Sequence, residues 1–368
     1  YSDIHGYVEG WLKQHALPVA HTSFPGYGTD VQVQLYVTRD PRLQAVPPVQ
    51  HALQVDYGAL RLEGYDLPLR PIAGGERAWV TFYWRVQKPG VNAKVSFRLF
   101  DSRNQQWVQV DEIPYPDYPP KHWPVGVVMR HDTSIAVPAG LPPGWYRLEM
   151  RVYDADNNRP IDPLQGARPG ALQLGSLRVT PTQARNVLLT QLLLGSDRTL
   201  LQGGVRFDDV LTLVAYSPTS KTVRSGEWLH VDLCWQVDQP TDDELTLYLE
   251  LINEKGQVIG AYTGPPVSSL YPPASWQTGE LLWGSHDLLF PAALPPGRYS
   301  LRASLRDAEG GHLAVRDRWR FWTWGEESLT LAQLQVTEMP RMFVRPAMEH
   351  TLERQSTASI DLLGFDGV

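Results

Sequence analysis

The sequence predicts an all-β fold: two tandem immunoglobulin-like β-sandwiches behind a short N-terminal helix and strand. Three observations carry this. One set of motifs occurs twice, short runs of alternating apolar and polar residues recur at the spacing of sandwich strands, and 31 Pro with 30 Gly punctuate those runs as turns. The repeat is the strongest of the three. Leu62-Glu63-Gly64-Tyr65, Gly75-Glu76-Arg77 and Tyr83-Trp84 return as Leu213-Val214-Ala215-Tyr216, Gly226-Glu227-Trp228 and Cys234-Trp235, a shift of 151 positions. Trp123-Pro124-Val125-Gly126 returns as Trp276-Gln277-Thr278-Gly279, and Leu141-Pro142-Pro143-Gly144-Trp145-Tyr146 as Leu294-Pro295-Pro296-Gly297-Arg298-Tyr299, both shifted by 153. So small a drift over a domain's length is duplication of one unit.

In chain order, Ile4, Val8, Trp11, Leu12 and Ala16 fall at helical spacing behind a Ser2 or Asp3 cap, which predicts an amphipathic helix over 3–16. Val31, Val33, Leu35 and Val37 alternate with Gln32, Gln34 and Tyr36, so one half-buried strand follows, and 39–54 reads as a Pro-containing connector. These form an N-terminal segment, 1–53. Repeat 1 spans 54–180, with strands predicted over 59–64, 78–86, 94–100, 107–112, 134–137, 146–153 and 172–179. Residues 181–205 contain Val187-Leu188-Leu189 and Leu192-Leu193-Leu194, too apolar for a free linker, and are expected to pack across the junction. Repeat 2 spans 206–338, with strands over 211–216, 228–237, 245–252, 258–262, 287–290, 299–306 and a broken run over 319–336. Within 339–368, Ile360 to Asp366 matches Leu60 to Asp66, so this stretch either starts a third repeat or adds a strand. The missing initial Met and the motif cut short at the end lead us to expect a piece of a longer protein.

Composition narrows function. Lys and Arg number 33 against 40 Asp and Glu, a formal charge of -7 with no like-charge block, which gives no footprint for nucleic acid or an anionic membrane. The single cysteine, Cys234, excludes an intrachain disulfide and a thiolate metal cluster. Its repeat partner Tyr83 lies on an alternating strand, so Cys234 reads as a small core residue. No apolar run approaches the ~20 residues that span a bilayer, so membrane contact is expected only through flanking segments. No cofactor is expected.

The repeated Leu-Pro-Pro-Gly-x-Tyr element is a stiff turn into a strand, and Tyr146 and Tyr299 are placed to hydrogen-bond back across a sandwich corner. Asp154, Asp156, Asn157 and Asn158 offer oxygens that could ligate calcium, but the second copy reads Asp307-Ala308-Glu309-Gly310-Gly311, and Asp and Asn are ordinary turn residues. His131-Asp132 and His286-Asp287 sit at similar places in both repeats; without an accompanying nucleophile motif they read as strand-edge polar residues. Asp111-Glu112 and Asp242-Asp243-Glu244 read as solvated turns rather than a glycosidase pair. Trp322 and Trp324 read as core. The rings held in Pro-stiffened loops at equivalent places are the candidate ligand-binding residues: Tyr115, Tyr118 and Trp123 in copy 1, Tyr271 and Trp276 in copy 2. Such rings stack on sugars or anchor a protein partner; alternatively, they plug the sandwich.

The ordered set Leu-x-Gly-Tyr, Gly-Glu then Tyr-Trp, Trp-x-x-Gly and Leu-Pro-Pro-Gly-x-Tyr resembles β-sandwich modules in the extracytoplasmic tails of bacterial multispanning glycosyltransferases of the dolichyl-phosphate-mannose protein mannosyltransferase-like type. Tyr7-Val8-Glu9-Gly10-Trp11-Leu12 and Val31 to Tyr36 look like the helix and strand that follow the last membrane span in that family. The resemblance implies an extracytoplasmic, cell-envelope location and a non-catalytic role as spacer, docking element or glycan- or protein-binding module. The family's catalytic residues lie in the membrane part, so none is carried over. Ala215 for Gly64 and Arg306 for Tyr153 depart from the pattern. The alternatives are a cell-surface assembly or adhesion protein whose sandwiches self-associate end to end, and a hydrolase with its site between the domains.

Overall fold

The computed structural model describes residues 7–24, 31–37, 40–164, 170–187, 192, 198–218, 222–317, 326–339, 350–357 and 360–365. The Ser2 or Asp3 cap, Trp322, Trp324 and most of the leucine-rich part of 188–197 lie outside these residues. The regular structure of the described residues is almost entirely strand, with one α-helix, α1 (Tyr7–His15). An antiparallel hairpin follows, β1 (Leu17–Phe24) with β2 (Val31–Val37). Pro18 and the polar run His21-Thr22-Ser23 break the alternation of β1, which sequence reading therefore misses. Val19 is 1% exposed and belongs to the core of the first sandwich, so the hairpin packs onto copy 1.

Copy 1 comprises β3 (Arg42–Leu43), β4 (His51–Asp56), β5 (Leu60–Asp66), β6 (Ile72–Ala73), β7 (Arg77–Val86), β8 (Ala93–Phe100), β9 (Gln106–Glu112), β10 (Val128–Ala136), β11 (Gly144–Asp154) and β12 (Leu172–Thr180). They form two sheets, β3-β10-β7-β5-β4 and β6-β12-β11-β8-β9. A linking strand, β13 (Thr182–Gln183), precedes copy 2: β14 (Thr199–Phe207), β15 (Leu211–Pro218), β16 (Thr222–Arg224), β17 (Trp228–Val237), β18 (Thr246–Asn253), β19 (Val258–Gly264), β20 (Glu280–Leu289), β21 (Gly297–Arg306), β22 (Val315–Asp317) and β23 (Leu329–Thr337). Its sheets, β13-β20-β17-β15-β14-β22 and β16-β23-β21-β18-β19, repeat the order of copy 1, with β22 added beyond β14. Between β7 and β17 the alternation of buried and exposed residues is identical at all ten positions.

Each copy has its own core, built from the inward residues of both sheets. Phe82 stacks on Phe97 at 5.3 Å beside Trp84, and Phe207 meets Trp235 edge-on at 5.3 Å. Each fully buried Phe or Leu contributes roughly 1.5–3 kcal/mol of transfer free energy. The corner tyrosines do as their position predicts: Tyr146 donates its hydroxyl proton to Pro142 O (2.6 Å) and Tyr299 to Pro295 O (2.9 Å).

Some expectations are corrected. The 39–54 connector contains β3 and the first half of β4, because Arg42 and Leu43 pair with the upper edge of β10 and the run from His51 pairs with β5. The strands expected at 134–137 and 287–290 begin much earlier, at Val128 and Glu280; interspersed charged residues such as Arg130 and Asp132 hide the alternation. Finally, β24 (His350–Thr357) and β25 (Ile360–Phe365) form a hairpin of their own. Its register, His350 opposite Phe365 and Thr351 opposite Gly364 with a bulge before Arg354, matches His51 opposite Tyr65 and Ala52 opposite Gly64 with a bulge before Val55. The last motif therefore pairs in the register of the opening hairpin of copy 1 and, among the described residues, forms a sheet apart from those of copy 2.

Copy 2 docks on copy 1 through Trp283. This side chain is 3% exposed; its Nε1–H donates to Ala139 O (2.8 Å) and its backbone N–H to Gly140 O (2.7 Å). The Arg198 guanidinium lies 4.3 Å over the indole, and Leu192, Cys234, Leu281 and Ala215 complete an apolar cluster. Gly140 has φ +86°, and a Cβ there would fall 2.9 Å from the indole, so the turn must be glycine. Thr182, at 2% exposure, hydrogen-bonds Gly140 N–H and pairs with Leu281, tying the link to both copies. Copy 1 uses the same device at Arg130, the structural equivalent of Trp283: its N–H donates to Pro41 O (2.8 Å) from the N-terminal segment.

Candidate functional site

The aromatic loops fold inward. Trp123 and Trp276 are 3% and 4% exposed, and each indole N–H donates to the carbonyl of the tyrosine five residues earlier, Tyr118 (2.7 Å) and Tyr271 (3.0 Å). Pro119 and Pro272, at the entry to a single 3-10 turn in each copy, set this geometry. Tyr271 is half-buried, its hydroxyl donating to Ser275 O (2.8 Å) and lying 3.1 Å from Glu280 Oε2. Tyr118 is half-buried and lines a cavity of about 350 Å³ with Leu17, Val37 and Arg42; Trp276 lines one of about 320 Å³ with Pro266 and Pro273. The two indoles are thus buried in their own loops, and of the two only Trp276 lines one of these cavities.

Tyr115 leads to a further cavity. It caps the open edge of β10, its hydroxyl donating to Arg130 O (2.9 Å) and accepting from Asp132 N–H (3.2 Å). To reach there its backbone takes φ +51°, a left-handed conformation that costs a bulky residue about 1–3 kcal/mol. Strain of this kind persists only where the surroundings over-determine it. Around Tyr115, the end of β9, the edge of β10, the start of β7 and the β1–β2 hairpin enclose a cavity of about 490 Å³. Val19, Leu35 and Val37 give an apolar wall, and Arg77, Glu112, His131 and Asp132 bring polar groups. Trp79, 64% exposed, stands at its rim.

Within the cavity His131 is 2% exposed, its Nε2 lies 3.2 Å from Glu112 Oε1, and its Nδ1 is buried without a protein partner. Burial pushes the Glu112 carboxyl up, but His131, Thr133 and the Arg77 charge outweigh it and hold the group below its ordinary value. Glu112 is therefore an anion at neutral pH with its side chain partly exposed at the pocket, while the unpartnered His131 Nδ1 is sealed from solvent. Sequence reading assigns Glu112 and His131 to bland positions; the signal available was the repeat, in which neither has an equivalent of its kind.

The His-Asp pairs are not dyads. Successive strand residues face opposite sides of a sheet: His131 points inward against Phe82, whereas Asp132 points outward to Thr81 and Arg130. Nor are the pairs equivalent. Strand register places His131 at the position of Gly284 and Thr133 at that of His286. Burial holds His286 neutral, its pKa down at about 4.

Asp287 instead joins a constellation that sequence reading misses. Ser285 Oγ lies 2.9 Å from His230 Nε2, and His230 Nδ1 lies 2.7 Å from Asp287 Oδ1, the linear order of a Ser-His-Asp triad on the outer face of β17 and β20. Asp232 makes the difference. It accepts from Ser285 Oγ (2.8 Å), lies 3.2 Å from His230 Nε2, and with Asp287 raises the imidazole to about 9. An imidazolium has no lone pair to take the serine proton, so the string is an ion cluster rather than a nucleophile. Asp232 also lies 3.9 Å from Arg198, the residue over Trp283, so the cluster buttresses the junction. A histidine raised from 6.5 to about 9 stabilises the fold fully below pH 6.5 and loses that contribution as pH climbs through 9. Thermal melts should therefore show a gap between wild type and His230→Gln that is widest in mild acid and closes in alkali; a gap independent of pH would refute the assignment.

The calcium candidates act as a turn. Asp154 Oδ1 accepts Asp156 N–H (2.8 Å), Asp154 Oδ2 accepts from the Asn157 amide (3.1 Å), and Asp156 Oδ1 accepts from Asn92 (2.7 Å). Asn158 takes φ +60° to close the loop. Among the described residues no group of three His, Cys, Asp or Glu side chains is placed to hold a metal ion.

No protein family matches the chain, and no curated protein does. Among solved structures, the C-terminal domain of wzt aligns with 39% of this chain and 83% of its own length, at 11% identity and a TM-score of 0.25, too low to carry fold or function across.

Proposed function

We propose that this chain is a non-catalytic, glycan-binding tandem β-sandwich module, whose ligand enters the cavity between the β1–β2 hairpin and the edge of β10. The observation that carries this reading is the partly exposed Glu112 carboxylate, held ionised by the buried His131 beside it, in a concave site rimmed by exposed Trp79. An apolar wall, an open indole face and a few convergent polar groups are what a sugar residue requires: stacking for its C–H face and hydrogen bonds for its hydroxyls. The cavity size falls in the range of small-ligand pockets. The junction at Trp283 supports a second part of the role, holding the two sandwiches at a fixed spacing. On the resemblance of the opening segment, we read such a module as lying outside the cell membrane, attached to a multispanning glycosyltransferase-like parent.

Calorimetric titration with cell-envelope oligosaccharides tests the binding clause. Trp79→Ala and Glu112→Gln should each weaken binding by about tenfold or more, as expected for loss of one stacking or charge-assisted contact. Equal affinity in wild type and both variants would remove the site. A second reading, end-to-end assembly of sandwiches at a cell surface, is favoured by the third-copy register of β24–β25; a strictly monomeric mass by light scattering at high concentration would count against it.

A further inference from the structure

We infer that copy 2 carries a saccharide site of its own, in a cavity of about 790 Å³ beside the β14–β15 hairpin. The two copies act as each other's control. In copy 1 the same patch of the outer sheet face is filled: Arg61 and Arg85 both hydrogen-bond Glu63, which is 7% exposed. Strand register puts Thr212, Val214 and Gln236 at the positions of Arg61, Glu63 and Arg85. A closed ionic cluster has become two short side chains and a neutral amide, and space opens.

The hairpin changes in step. At its bulge β4 passes from Ala52 to Val55 and β24 from Thr351 to Arg354, whereas β14 passes from Leu200 to Val205, taking in Gly203 and Gly204 at φ +81° and +69°. A Cβ on Gly204 would fall 2.3 Å from Thr212 Cγ2, so this wall is restricted to glycine. The widened bulge belongs to copy 2 alone among the three hairpins.

The chemistry points to a neutral ligand. Arg206 lies 3.0 Å from Asp209 and 3.6 Å from Asp238, and Arg316 lies 3.9 Å from Asp208, so the cationic groups are matched and leave no excess for an anion. Thr212 Oγ1 donates to Asp238 Oδ2 (2.6 Å), beside the Gln236 amide and above Val214. Planar amide, carboxylate and guanidinium groups each engage two atoms at once, which suits the vicinal hydroxyls of a saccharide.

The test uses the full chain with cellohexaose, mannohexaose and chitohexaose as probes, followed by calorimetry and by NMR of the Gln236 side-chain amide. One of the three should bind saturably, shift that amide, and keep its effect there in Trp79→Ala, which separates this site from the copy 1 cavity. The triple variant Thr212→Arg, Val214→Glu, Gln236→Arg installs the closing cluster of copy 1 and should weaken this binding at least about tenfold. Gln236→Ala is the milder variant should the triple fail to fold, with a smaller loss expected. The inference is overturned if no hexasaccharide moves the Gln236 amide, or if the triple variant, or Gln236→Ala in its place, binds as wild type does.

Discussion

Trp283→Ala is expected to cost about 3–5 kcal/mol of stability and to uncouple the two sandwiches. The indole is the centre of the junction: truncation leaves a cavity among Leu192, Cys234 and Leu281, removes the cation–π contact with Arg198 and leaves Ala139 O without its donor. A single anchor sits at the centre of this junction, as buried tryptophans do at protein interfaces. Denaturant titration measures the stability loss. NMR relaxation measures the uncoupling, with one tumbling time for both copies in wild type and two in the variant. An unchanged single tumbling time would show that the linking strand alone fixes the geometry.

The second large effect compares equivalent core tryptophans. Trp84 and Trp235 are 1% and 0% exposed at the same position of β7 and β17, and truncation of either to Ala should cost about 3–5 kcal/mol. Their replacement by Phe should separate them. Trp235 Nε1–H donates to Pro266 O (3.1 Å), so Trp235→Phe deprives a buried carbonyl of its donor at a cost of about 1–3 kcal/mol beyond lost packing. Trp84 Nε1 is buried without a protein partner, so Trp84→Phe removes an unsatisfied donor and should cost less. Paired thermal melts check this order; equal losses, or a larger loss at Trp84, would contradict it.

Much of the fold was legible in the sequence because it depends on local chemistry that the duplication prints twice. The Leu-Pro-Pro-Gly-x-Tyr turns, the inward alternation around Trp84 and Trp235, and Cys234 in an apolar cluster all follow from residue type and period. Where charged side chains enter the strands the period fails, so β10 and β20 looked shorter than they are. The candidate site was harder to read. Tyr115 was found through its Pro-stiffened loop, yet it acts by capping a strand edge, and Glu112 and His131 meet only because β9 ends beside β10 in the folded sandwich. The Ser285-His230-Asp287 string arises from two residues of β20 and one of the paired β17, a juxtaposition with no sequence signature. The His-Asp pairs at similar places in the two repeats are offset by two positions in strand register.

The most direct test of the binding account is the His131 imidazole itself. Nitrogen-15 NMR of histidine-labelled protein, titrated with cell-envelope oligosaccharides, should show the Nε2 resonance of His131 shifting saturably as a ligand hydroxyl bonds to the Glu112 carboxylate that it contacts, with His286 unmoved. A saccharide that binds the chain while leaving His131 unchanged, or a complete absence of binding across such oligosaccharides, would contradict it.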